Sequence, residues 1–230
     1  MTSILTNSGA MVALQTLSAV NNNLTDAQNE ISTGKRVGAA SDNAAVWAIS
    51  KTMESDIAGF EAISESLAVG EATVAVASAG AEQIVEKLTE IKELIVSAQS
   101  ENVDHAKIQN DIDKKAAQVA SIISAAQFNG ANLLMDTIDG TATSLSVLAS
   151  LDRVGATGTP TGTPITINAL DFTNSIDLAT DLQTISDTTE AASALVDIEA
   201  FLATAINGAA ALGADMARLQ DQGEFVSKLT

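Results

Sequence analysis

The feature that most constrains this chain is a spacing. Positions 46, 49, 53, 56, 60, 63, 67, 70, 74, 77, 81, 84, 88, 91, 95 and 98 step by three and four without a slip. They hold Val46, Ile49, Met53, Asp56, Phe60, Ile63, Leu67, Gly70, Val74, Ala77, Ala81, Ile84, Leu88, Ile91, Ile95 and Ala98. Only Asp56 in this series is charged, and Ile57 beside it can take over the stripe. A 3.5-residue repeat sustained this long keeps one face on a partner only if the helix supercoils left-handedly. The spacing therefore predicts a helix from about Asp42 to Gln99, a rod of roughly 85 Å at about 1.5 Å per residue. Ile63, Leu67, Val74, Ile84, Leu88, Ile91 and Ile95 are its expected core seam. The small Gly70, Ala77 and Ala81 allow a neighbouring helix to approach closely.

Composition says that such seams are most of what the chain can build. Hydrophobic residues make up 46% of it and aromatics 3%, with no Tyr. Ala, Val, Ile and Leu fill thin seams rather than one thick core, and two Pro in 230 residues leave room for long helices. A second stripe, Ala10, Ala13, Leu17, Val20, Leu24, Ala27 and Ile31, predicts an earlier helix ending at Ser32-Thr33-Gly34, with Gly34 as a left-handed stop. The loop Gly38-Ala39-Ala40-Ser41-Asp42 reads as ending in an N-cap for the long helix.

Beyond the turn Ser100–Val103, a third helix from about Asp104 to Ala126 points Ile108, Ile112, Ala116, Val119, Ile122 and Ala126 inward, antiparallel to the second. From 133 to 175 Thr, Gly and both prolines gather. The alternating runs Ser144–Leu148 and Pro164–Asn168, with a turn over Gly155–Gly162, predict a small β-rich knob. A fourth helix is expected from near Ser175 or Asp177. Its seam is Leu195, Ile198, Leu202, Ala205, Ala209, Leu212, Met216, Leu219, Gly223 and Val226. At Thr230 this pattern stops with no Gly, Pro or polar tail, so that end reads as cut.

The net charge of −18, from 29 acidic and 11 basic residues, argues against binding nucleic acid or an anionic membrane surface. No stretch approaches 18 consecutive apolar residues, so no membrane span is expected, and the first basic residue is Lys35, so no conventional signal peptide is expected either. The absence of Cys excludes disulfides and thiol chemistry, and the single His105 excludes multi-histidine metal sites. Ser32-Thr33-Gly34-Lys35-Arg36 faintly resembles a phosphate loop, but the first glycine is missing and a helix precedes it, so it reads as a helix cap. Asp111 and Asp113 point about 200° apart on a helix, so with Glu101, Asp104 and His105 they read as a solvated acidic face. His105 is expected at the surface, and the Asn23-Leu24-Thr25 sequon lies inside a helix and reads as chance. No nucleophile, base and oxyanion donor come together, so no catalysis and no cofactor is expected. Trp47, an isolated aromatic, reads equally as an interface anchor or as packing against the first helix and its loop.

Residues 1–135 resemble the N-terminal part of bacterial flagellins. The resemblance is carried by Ser3-Ile4-Leu5-Thr6-Asn7, Ile31–Val37, Ala40-Ser41-Asp42-Asn43-Ala44-Ala45 and Gln127-Phe128-Asn129-Gly130-Ala131-Asn132-Leu133-Leu134. Trp47 after the loop is similar to alphaproteobacterial members, and residues 178–230, with Phe225–Leu229, resemble the family's C-terminal core helix. The resemblance implies a mainly α fold of long antiparallel helices. Residues 1–41 would form the inner-domain helix and linker, lining the filament channel through Leu17, Leu24 and Ile31. Residues 42–132 and 176–230 would form the helical core domain, and 133–175 a small β insertion. It also implies that the family's final inner-domain helix is lacking here. The function it implies is that of a filament subunit, exported by the flagellar type III machinery, assisted by a flagellin chaperone and meeting hook-associated and cap proteins outside the cell. Lys92-Glu93-Leu94-Ile95-Val96-Ser97 stands where the family's innate-receptor motif has Arg, which weakens that expectation. The alternatives are a hook-filament junction protein, which shares the terminal helices, and a chemoreceptor-like signalling hairpin. The Thr/Gly/Pro knob speaks against the hairpin.

Overall fold

The computed structural model describes residues 7–153, 155 and 158–230. The Ser3–Thr6 part of the first motif, and Ala156 and Thr157 of the expected turn, lie outside them. The chain is mainly helical: α1 (Ser8–Thr33), α2 (Ala44–Ser97), α3 (His105–Ala125), β1 (Ser144–Asp152), β2 (Thr161–Asn168), α4 (Phe172–Ser175) and α5 (Thr188–Ser227). Its contacts group into two units, Met1–Ala58 and Gly59–Thr230.

In the 59–230 unit, α2 is the spine. Ile63, Leu67, Gly70, Val74, Ala77, Ala81, Ile84, Leu88, Ile91 and Ile95 are buried along one stripe. Antiparallel α3 is fixed on it by Lys115, which pairs with Glu90, and by Gly80, where an added Cβ would sit 2.9 Å from the Ala126 methyl. Antiparallel α5 is fixed by Lys92–Glu199 at 2.6 Å and by Gln220 Nε2 donating to Glu71 Oε1 at 2.8 Å. Where α3 does not reach, the β1–β2 hairpin covers α2. A Cβ on Gly70 would lie 2.6 Å from Val147, so the missing side chain is what lets the strand close on the helix.

The α5 seam is wider than the spacing suggests and lies partly to one side. Ile198, Leu212 and Leu219 are buried, but so are Ala191, Ala194, Phe201 and Gly208, while Leu195, Leu202 and Met216 are only half-buried on the other flank. Gly208 explains the shift: the Phe172 ring of α4 fills the place of its side chain, 2.5 Å from an added Cβ. By length and composition α5 is also apolar enough to cross a membrane, with a mean hydropathy of 1.5 over an 18-residue window. A count of consecutive apolar residues misses this. Its buried stripe nonetheless packs into the helical core.

Several boundaries differ from expectation. The fourth helix begins at Thr188, not near Ser175 or Asp177, because Asp187 Oδ1 accepts from the Thr189 and Glu190 N–H groups at 2.8 Å each. Glu190 Oε2 reaches back to accept from the Ser186 N–H at 2.8 Å, one residue before the cap, a variant of the capping box. The preceding stretch is not helix but loop around α4, with Ile176, Leu178, Leu182 and Ile185 buried. The strands run further than Ser144–Leu148 and Pro164–Asn168, and a bulge at Ala149 follows the Leu148↔Pro164 pair, where proline has no N–H to give. The Ala149 carbonyl accepts instead from Gln222 Nε2 at 2.7 Å.

The Gln127–Leu134 motif acts as a clasp. Asn129 (φ 49°) and Gly130 (φ 82°) make a reverse turn that requires positive φ at both positions. Buried Asn132 donates to the Ile123 carbonyl at 2.7 Å and accepts from the Leu134 N–H at 2.9 Å, tying off α3 while Leu133 and Leu134 enter the core. His105 is half-buried rather than a plain surface residue: its Nε2 lies 2.9 Å from the Ala98 carbonyl at the end of α2.

Candidate interaction surface

The 1–58 unit is built differently. α1 has good local signals: Asn7 Oδ1 accepts from the Ala10 N–H at 3.2 Å, and Gly34 closes it at φ 64°. It nevertheless buries none of its residues. Leu17 is 57% exposed, Leu24 54% and Ile31 83%, and Met11, Leu14 and Val20 are exposed beside them. The first turns of α2 behave likewise, with Val46, Ile49, Met53 and Ile57 exposed although they carry the same seam spacing. Trp47 is half-buried, between the exposed apolar residues Val46 and Ile49.

The loop between the helices is held by its own polar groups. Asp42 Oδ2 accepts from the Ala39 N–H at 2.9 Å and the Gly38 N–H at 3.1 Å, which holds its carboxyl below the usual carboxylate range. Asp42 is therefore occupied by the turn and is not the N-cap of α2. That role falls to Asn43, whose Oδ1 accepts from the Val46 N–H at 3.1 Å. Glu54 on α2 takes a hydrogen bond from Lys35 in the loop and another from Lys51 at 2.6 Å. Lys35 first, then Lys51, lowers the Glu54 carboxyl from 4.5 to about 2. The outcome is a polar clasp beside an uncovered apolar stripe. Such a surface offers binding area.

Residues 4–139 match the family model of the bacterial flagellin N-terminal helical region. The chain belongs to the bacterial flagellin family. Flagellin A of Rhizobium meliloti is 45% identical over 156 residues, 68% of this chain and 40% of that protein. The chain thus matches well under half the length of that flagellin. Flagellin FljM of Caulobacter vibrioides is 36% identical over 232 residues, 99% of this chain and 80% of that one. A flagellin of Brucella melitensis is 37% identical over 236 residues, 100% and 81%. The crystal structure of Bacillus cereus flagellin shares the fold, with a TM-score of 0.57 at 16% identity, covering 69% of this chain and 86% of that one.

Proposed function

We propose that this flagellin is a structural subunit of the extracellular flagellar filament and serves swimming motility. In this reading, residues 1–41 give the inner helix and linker. Residues 42–132 and 176–230 give the helical core domain, and 133–175 a small surface insertion. The observation that supports it is α1, a 26-residue helix with an apolar stripe and no buried residue. Most helical stability in proteins comes from packing an apolar face, and Asn21-Asn22-Asn23 lower the propensity of this helix, so its stripe gains stability from a partner. A homopolymer supplies one, because contacts between unlike faces of identical subunits propagate into a helix when they do not close into a ring. Leu17, Leu24 and Ile31 are the inner-helix contacts of this proposal, and Trp47 is an anchor beside them. The flagellar type III export machinery, a flagellin chaperone, and the hook-associated and cap proteins are its proposed further partners.

Electron microscopy of cells deleted for this gene tests the reading. Loss or shortening of filaments on intact hooks is the expected result. Filaments that form fully but detach from the hook would assign the chain to the hook-filament junction instead.

A further inference from the structure

We propose that Arg36 docks onto a second copy of this flagellin by an ion pair with a carboxylate of that copy's 59–230 unit, an assignment that rests on the self-assembly reading above. The charge of the chain is unevenly divided. Residues 1–58 hold three basic and five acidic side chains, a net −2, whereas residues 59–230 hold eight and twenty-four, a net −16. Two copies approaching through their 59–230 units repel each other. A cation presented from the near-neutral, apolar 1–58 unit is drawn into that same field.

The basic residues are almost all taken within the chain. Glu54 holds Lys35 and Lys51, and Glu90 holds Lys87 and Lys115. Glu199 holds Lys92, Asp104 holds Lys107, Asp111 holds Lys114 and Asp215 holds Arg218. Arg153 also has a partner. Among the described residues this leaves Arg36 and Lys228 without one.

Their settings differ. Lys228 caps α5 on the acidic unit. Arg36 is exposed on the loop whose backbone Asp42 fastens and whose adjacent Lys35 is held by Glu54. Its guanidinium is thus carried on a loop already fixed, which lowers the entropy lost on pairing. Asp26 and Glu30 line the same cleft, and neither lies within ion-pair distance of it. A planar, permanently charged fork matches a carboxylate in two hydrogen bonds, which a lysine in its place would not.

Sedimentation of the full chain across concentrations, at low and high salt, tests this. Arg36→Glu and Lys228→Glu change the net charge equally, so general repulsion moves both alike. The expected result is that Arg36→Glu weakens self-association at low salt about fivefold more than Lys228→Glu, on the scale of an exposed ion pair. Arg36→Lys should keep part of the wild-type affinity, and the gap should close near 1 M salt, where the screening length is about 3 Å. Equal weakening by the two reversals, or a gap that survives 1 M salt, overturns the role of Arg36 while leaving self-assembly standing. A wild-type chain that stays monomeric at every salt and concentration removes both.

Discussion

α1 and the 63–95 stretch of α2 carry the same kind of stripe and end in opposite states. On α2, Ile84, Leu88, Ile91 and Ile95 are fully buried because α3 and α5 of the same chain lie against them. On α1, Leu17, Leu24 and Ile31 face outward. The capping of α1 is at least as good, since Asn7 and Gly34 close both of its ends. Local signals therefore do not separate the two. A three-four spacing states that a helix expects a partner, and it is silent on whether that partner is in the same molecule.

The contrast should be largest in hydrogen exchange and limited proteolysis. Amides of α2 between Ile63 and Ile95 are expected to exchange only through global opening, and those of α1 through local fraying, orders of magnitude faster. Proteases should cut first within 8–33. Equal protection of α1 in a demonstrated monomer would break the comparison.

A substitution pair sharpens it. Leu88→Ala should cost about 2–5 kcal/mol in denaturant unfolding, as deletion of a fully buried side chain does. Leu24→Ala should stay within about 0.5 kcal/mol in the monomer. An unfolding midpoint unmoved by Leu88→Ala would mean that the seam has been placed on the wrong face.

Within α5, Gly208→Ala forces a methyl to 2.5 Å from Phe172 and should cost about 1–3 kcal/mol by overpacking. Gly213→Ala meets nothing within 4 Å and should be neutral or stabilising by up to about 1 kcal/mol, as alanine is the better helix former. Thermal melts of the two variants check the pair, and a common sign would refute the close approach at Gly208.

The smallest effect lies in the polar clasp. The Glu54 carboxyl is depressed to about 2 from 4.5, so its contribution is present above the unfolded value and is lost as pH falls through the folded one. Between pH 7 and 4.5 the clasp should hold, and it should release between about 4.5 and 2. A carboxyl NMR titration should show a midpoint well below 4.5 that moves up in Lys35→Ala. An unchanged midpoint would mean that Lys35 does not hold Glu54 in solution.

The α2 seam from Ile63 onward, the α3 boundaries and the hairpin were legible in the sequence because each rests on a period or a turn signal read within one segment, whereas the same period over Val46–Ile57 stays exposed. The flagellin motifs were legible too, and the structure adds what they do: Asp42 fastens a turn, Asn43 caps α2, and Asn132 ties off α3. The start of α5 was missed although Asp187-x-x-Glu190 spells a capping box, because the apolar residues Ile176, Leu178, Leu182 and Ile185 look like helix continuing upstream. Phe172 entering the space above Gly208 could not have been read from the sequence, since it depends on which flank of α5 faces α4.

By itself, then, the sequence determined where helices form and which face of each is apolar, because backbone sterics and side-chain spacing act over a few residues. Tertiary structure alone decided which of those faces are covered, since coverage depends on segments far apart in the chain. It brought α3, α5 and the hairpin onto α2 from residue 63 onward and left the stripe of α1 open.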